Sequence, residues 1–456
     1  MSPATSPLWF QTALLPQGWA DQVRITIQGG LITAISTGAP PQPGDERHRI
    51  GLPGLPNVHS HAFQRGMAGL AERRGPTGDN FWSWREAMYR FLDRIDPDDC
   101  EAIAAQLYME MLEAGFIRVG EFHYLHHDIN GAPYANIAEM AERIAAAAST
   151  TGIGLTLLPV FYAHSNFGGV EPVHEQRRFI TNLDQFARLM QASRNSLASL
   201  PDALLGIAPH SLRAASPEEI AAIRPLAEQG PIHIHAAEQV KEVEDCLAWN
   251  QRRPVQLLLD AVGIDAQWCL IHATHMTDAE ATGLAASRAV AGLCPITEAN
   301  LGDGVFPAAP FLTGRGRFAI GSDSNILIDA AQELRQLEYA QRLSHRARNL
   351  LALMQGQSTG RALFSAAVAG GAQALGGAGR GVEIGASADL ISLDATDPAF
   401  IGREDDEWLD SWIFASRHRA VDCVWCHGVK WVEAGRHRAR ATIEARFCQV
   451  MSKILQ

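Results

Sequence analysis

Through the middle of the chain, short apolar runs that end in His or Asp alternate with longer amphipathic stretches. LPNVHSH, IRVGEFHY, GLTLLPVFY, LLGIAPH, PIHIHAAE, WCLIHAT, AVAGLCPIT and FAIGSDS read as eight strands. Between them, PDDCEAIAAQLYMEMLEAG, IAEMAERIAAAASTTG, SPEEIAAIRPLAEQG and DAAQELRQLEYAQRL repeat apolar positions at helical spacing, several opening on Ser, Asp or Pro and closing on Gly. Eight β/α units over roughly 320 residues predict an α/β fold, a (β/α)8 TIM-like barrel in preference to an open doubly wound sheet.

Both chain ends change to β patterning. QVRITIQ and GLITAIS flank the turn signal Gly29-Gly30, and GVEIGASADLISLDA and AVDCVWCHGVKWVEAGRHRAR follow a Gly/Ala-rich helix. The expected organisation is one small β-sandwich domain built from both ends. Residues 1–52 and 379–456 form it, the latter including a C-terminal tail, and the barrel of residues 53–378 is inserted between them.

Composition narrows the function classes. Of 456 residues, 47% are hydrophobic and 19% charged, so the chain folds around a large core. Acidic residues outnumber basic ones by 50 to 38 without a long Lys/Arg run, which speaks against nucleic acid as a partner. A few local Arg residues can still reverse the field in one pocket. No apolar stretch has the length of a membrane span and the start has no basic, then apolar, leader, so no membrane partner and a cytoplasmic location are expected. Seven Cys in such a chain predict reduced thiols. The 17 His are the first positive chemical signal.

That signal sits at strand ends. His59 and His61 are spaced so that both imidazoles point to the same side of the first barrel strand, at the face where barrel enzymes keep their active sites. His210, His235, His272 and Asp323 end the fourth, fifth, sixth and eighth strands. In the second H-x-H, His235 lies nearer the strand end and reads as the ligand, with His233 buried below it. Three imidazoles and a carboxylate (His59, His61, His235, Asp323) suit one divalent metal, Zn²⁺ first, which lowers the pKa of bound water to about 7. Glu238, three residues after His235, is placed to shuttle a proton, Asp323 can also accept one, and His272 becomes an orienting neighbour.

Arg65, Arg85 and Arg213 lie at predicted loop positions, Arg65 being the weakest candidate, and guanidinium forks suit a small anionic substrate. Cys423-Val-Trp-Cys426-His427 matches the c-type haem pattern, but it lies in strand patterning that puts Cys423 and Trp425 on one face and Val424 and Cys426 on the other. It is rejected as a haem site. FWSWRE reads as packing, although FWSW lies in the long first β/α connection, where substrate covers often sit, and HYLHHD reads as loop surface.

LPGLPNVHSHAFQRGMAGLAE, EFHYLHHD, APHSLRA, HIHAAEQ, IHATH, TEANLGDG and GSDS together resemble the amidohydrolase superfamily and, within it, the formimidoylglutamate deiminases. The resemblance runs from about residue 7 to 440; H-x-H and GSDS mark only the superfamily, while HAFQRGMAGLAE, HYLHHD and TEANLGDG are more specific to the deiminases. It implies one metal on His59, His61, His235 and Asp323, with Glu238 and His272 as acid/base and orienting pair. It also implies substrate contacts from Gln64, Arg85, Tyr124, His210 and Arg213. The activity implied is hydrolytic deimination of N-formimino-L-glutamate, a dicarboxylate, in histidine degradation, and a homodimer is the expected assembly. Asn325 departs from the pattern, since His is expected there in close relatives, and this bears on substrate orientation and proton handling near Asp323. The rival readings are another amidohydrolase deaminase, acting on an aminated heterocycle or guanidino compound, and a catalytically silent binding protein. The second requires a missing ligand or a missing Glu238, and none is missing.

Overall fold

A computed structural model of the chain describes residues 6–75, 79–377, 381–416 and 420–456. The expected boundary at 378/379 lies outside the described residues. The chain opens with β1 (Leu8–Leu15), β2 (Gly18–Gln28), β3 (Leu31–Ser36) and β4 (Glu46–Pro53). All eight runs predicted as barrel strands are strands: β5 (Leu55–Ser60), β6 (Phe116–His123), β7 (Gly154–Phe161), the split pair β8 (Leu204–Leu205) and β9 (Ala208–Pro209), β10 (Ile232–Ala236), β11 (Trp268–His272), β12 (Val290–Leu293) and β13 (Arg317–Ile320). After them come β14 (Leu390–Leu393), β15 (Val421–Cys426), β16 (Val429–Glu433) and β17 (Arg436–His437).

Every barrel pairing is parallel, and each strand is followed by helix, as a crossover requires. Two seams close the ring. The fourth strand meets β10 through the parallel bridges Ile207↔Ile232 and Ser211↔His235, and β13 meets β5 through Ser60↔Asp323. At the second seam the His59 carbonyl accepts from the backbone N–H groups of Ser322 and Asp323. A Cβ at Gly321 would lie 2.8 Å from the His59 Cβ and 2.9 Å from its backbone N, so only glycine lets the chain pass that close.

The chain ends form one hydrogen-bonded sheet, in the order β17-β16-β15-β14-β4-β1-β2-β3. It curls on itself: the rings of Phe10 on β1 and Trp425 on β15 are 6.2 Å apart, whereas three strand spacings in a flat sheet span about 14 Å. The expected small β-sandwich is thus made by folding a single sheet over. Its inner core includes Phe10, Val23, Ile25, Leu390, Cys423 and Trp425. Its other face joins the main core through Ile50, Leu52, Val424 and Cys426. The two faces assigned to Cys423/Trp425 and Val424/Cys426 are therefore those observed, and the C-x-x-C-H string is strand packing. All seven Cys are free thiols. No described helix is long and apolar enough to cross a membrane.

Candidate metal centre and its cavity

Alternation along β5 puts His59 and His61 on one side, with ring centroids 4.6 Å apart. β10 adds His235, and the turn after β13 adds Asp323. One donor atom from each of the four lies within 4.8 Å of the other three. His59 Nε2 and His61 Nε2 are both 3.3 Å from Asp323 Oδ1, and His59 Nε2 is 3.0 Å from His235 Nε2. Metal–donor bonds of about 2.0–2.1 Å give a tetrahedron with edges near 3.4 Å, so the spacing fits a metal ion. The tautomers fit as well. His61 Nδ1 donates to the Phe122 carbonyl at 2.9 Å and His235 Nδ1 to the His210 carbonyl at 3.0 Å, which leaves both Nε2 lone pairs facing the centre.

Electrostatics agree with this assignment. Burial holds the His59 pKa down at about 3 against the pull of Asp323, so its imidazole is neutral, as a ligand must be. Burial alone would raise Asp323, but the imidazoles of His59 and His61, each 3.3 Å away, hold it well below the usual carboxylate range. Burial also opposes charge on His272, yet Glu238, Glu298 and Asp323 push its pKa up to about 10. His272 Nε2 sits 3.8 Å from Glu238 Oε1 and 3.8 Å from Asp323 Oδ2. Burial raises Glu238, with His272 opposing the shift.

Backbone strain concentrates at the same strand ends. Ala237, His272, Ala273, Asp323 and Asn325 all have φ between 45° and 68°, which costs a non-glycine residue about 1–3 kcal/mol. The surroundings hold them there: Glu242 accepts from the N–H groups of Ala237 and Glu238 at 3.2 and 3.1 Å, and the His59 carbonyl accepts from Asp323.

A cavity opens above this centre. Its walls include His61, His235, Glu238, His272 and Asp323, together with Gln64, Arg85, Tyr124, His210 and Arg213. Of the eleven predicted site residues only His59 is not in the wall; it lies beneath, fully buried. Arg213 is buried and its Nε has no partner, while Arg85 rests on Trp82 with its guanidinium 4.5 Å from the ring centroid. Neither forms an ion pair among the described residues. Arg65, by contrast, pairs with Glu110 at 2.7 Å and donates to the Asn325 and Ile326 carbonyls, away from the cavity.

Known proteins place this architecture. Residues 50–430 match the Amidohydrolase family model, and residues 8–49 match the model described as Formimidoylglutamate deiminase HutF, N-terminal domain. The formimidoylglutamate deiminase of Pseudomonas aeruginosa is 48% identical over 99% of this chain and 100% of its own length. The chain belongs to the formimidoylglutamate deiminase family of amidohydrolases. An amidohydrolase from Brucella melitensis, 56% identical, superposes with a TM-score of 0.96 over 99% of this chain and 100% of its own. An adenosine deaminase from Xanthomonas campestris with bound zinc shares the fold at 21% identity, with a TM-score of 0.80 and 98% of each chain covered.

One expectation needs correction. HYLHHD is not loop surface: His123, His126 and His127 are buried, with His126 Nε2 against the Val160 carbonyl and His127 Nε2 against that of Ile180. FWSWRE lies in the long first β/α connection, as expected, and starts the helix Phe81–Leu92. Phe81, Trp84, Arg85, Met88 and Tyr89 from that helix all line the cavity. That i, i+3, i+4, i+7, i+8 stripe was the signal that could have found them. Asn325 does not line the cavity. Its amide donates to Ser60 Oγ and the His61 carbonyl and accepts from Ser322 Oγ, which ties β13 to β5 from behind. His233 is buried below His235 as expected, against the Ala374 carbonyl at 2.7 Å. Tyr162 in the cavity wall and Glu298 beside His272 were not anticipated, because nothing local in sequence distinguishes them from core.

Proposed function

We infer that this protein hydrolyses N-formimino-L-glutamate to N-formyl-L-glutamate and ammonia, a step of histidine degradation. The observation that carries this reading over a deaminase of neutral heterocycles is the pair Arg85 and Arg213. Two guanidiniums free of carboxylate partners among the described residues face the cavity of an otherwise acidic protein.

The reading assigns His59, His61, His235 and Asp323 to one divalent metal, zinc first, because neutral imidazoles with one carboxylate suit that ion. Such an ion supplies Lewis acidity and a nucleophilic water near neutral pH. Arg85 and Arg213 hold the two carboxylates of the substrate. Gln64 donates to Tyr124 Oη at 2.9 Å, and its own Oε1 has no partner, so it can accept from the formimino N–H. Glu238 takes the proton released from water and returns it to the nitrogen that leaves as ammonia. His272 stabilises negative charge on Glu238 and Asp323 as the proton moves. His210, whose Nδ1 lies 3.1 Å from Ser211 Oγ, completes the wall beside Arg213.

The reading also keeps residues 1–52 and 379–456 as one β domain around the barrel 53–378, a cytoplasmic location in keeping with seven free thiols, and a homodimer. A coupled ammonia assay of the zinc-loaded protein with N-formimino-L-glutamate, guanidino acids and a neutral aminated heterocycle tests the activity. Release from the dicarboxylate is expected; release from the heterocycle alone would overturn it. Light scattering tests the dimer.

A further inference from the structure

The string TEANLGDG, which pointed to the family but to no chemistry, occupies Thr297–Gly304 at and after the short helix Pro295–Leu301. From there it reaches three strand ends. Thr297 Oγ1 donates to the Ser322 carbonyl at 3.2 Å and accepts from Ser324 N at 3.3 Å, on either side of Asp323. Asp303 accepts from Gln239, next to Glu238, and its carbonyl faces His275 Nε2 at 2.8 Å. Glu298 touches His272 itself, with Oε1 3.3 Å from Nδ1.

The Glu298 contact has the form of a positioning bond. The carboxylate is buried, and the same Oε1 accepts from Cys294 N at 2.9 Å, so it is fixed before His272 meets it. The His272 backbone is left-handed at φ 68°, and its ring stacks on His235 with a 12° interplanar angle. Stacking fixes the ring plane but leaves open which nitrogen faces the cavity. An acceptor on the far side decides that: it takes the Nδ1–H and leaves Nε2 between Glu238 and Asp323.

We propose that Glu298 is a positioning residue for the reaction, aiming His272 Nε2 into the gap between Glu238 and Asp323. This rests on the functional reading above, in which His272 serves proton handling. A mere cap on the helix Pro295–Leu301 would make the same bond to Cys294 N, so the test separates the two roles.

Zinc-loaded full-length parent, Glu298→Gln and Glu298→Ala are compared for kcat and KM of ammonia release, bound zinc, melting temperature and the downfield proton resonance of His272 Nδ1–H, assigned by its loss in His272→Asn. The alanine variant is expected to lose about 10- to 100-fold in kcat, with zinc retained, KM little changed and the resonance gone. The glutamine variant, whose amide oxygen accepts the same proton, is expected to keep most of kcat and the resonance. If the alanine variant does not fold, the glutamine variant and the resonance decide. Parent-like kcat in the alanine variant, or an equal loss in both variants with the resonance intact, overturns the proposal. A parent that releases no ammonia from N-formimino-L-glutamate sinks the functional reading instead, and the resonance still reports whether Glu298 holds His272.

Discussion

The Nε2 atoms of His59 and His235 lie 3.0 Å apart, inside a site where His235 has already given its Nδ1–H to the His210 carbonyl. Two lone pairs at that separation repel unless a proton or a cation lies between them, and a metal ion meets both at once. Chelation should therefore remove both activity and stability, and a metal at 1,000 times its dissociation constant should restore about 4 kcal/mol. Melting curves with and without chelator, alongside elemental analysis, check this. An unchanged melting temperature with well under one metal per chain would exclude a metal from this centre.

Arg85→Ala and Arg213→Ala should each raise KM for the dicarboxylate by about 10- to 100-fold, the worth of a charge-assisted hydrogen bond of about 1.5–3 kcal/mol. Turnover at saturation should fall less. Arg213→Lys should recover part of the loss, since an ammonium keeps the charge but not the fork. Steady-state kinetics with N-formimino-L-glutamate decide; unchanged KM in both alanine variants would remove the case for an anionic substrate.

Burial holds the pKa of His123 at about 3 and that of His233 at about 4, against 6.5 when unfolded. Both are neutral in the fold, so the unfolded chain binds more protons at acid pH. Stability is whole above pH 6.5 and drains away as pH falls toward 4. Each residue should cost about 1.4 kcal/mol at pH 5.5. Urea titrations at pH 7.5 and 5.5 measure the loss, and His233→Gln, which keeps a donor for the Ala374 carbonyl, should lose less on acidification than the parent.

Asn325 makes its bonds behind the metal centre, so Asn325→Ala should act on stability and not on substrate choice. Leaving Ser60, Ser322 and the His61 carbonyl with unmet partners should cost about 2–4 kcal/mol. The ratio of kcat/KM for formiminoglutamate over formiminoaspartate should stay near the parent's. A tenfold or larger change in that ratio would return Asn325 to the substrate's surroundings.

The sequence by itself determined the barrel and most of the centre, because both depend on short-range regularities. Short apolar runs closed by His or Asp and separated by helical stretches set those side chains at the ends of parallel strands, and an H-x-H in extended chain points both rings one way. Alternation likewise settled the two faces of β15. The tertiary structure alone decided what depends on residues far apart in the chain. Glu298 reaches His272 across 26 residues and Asn325 reaches Ser60 across 265. No local pattern separates such carboxylates and amides from a helix cap or a loop. The burial of the HYLHHD histidines has the same origin: the carbonyls of Val160 and Ile180 that satisfy His126 and His127 come from later elements, and a polar string is surface only until another part of the fold covers it.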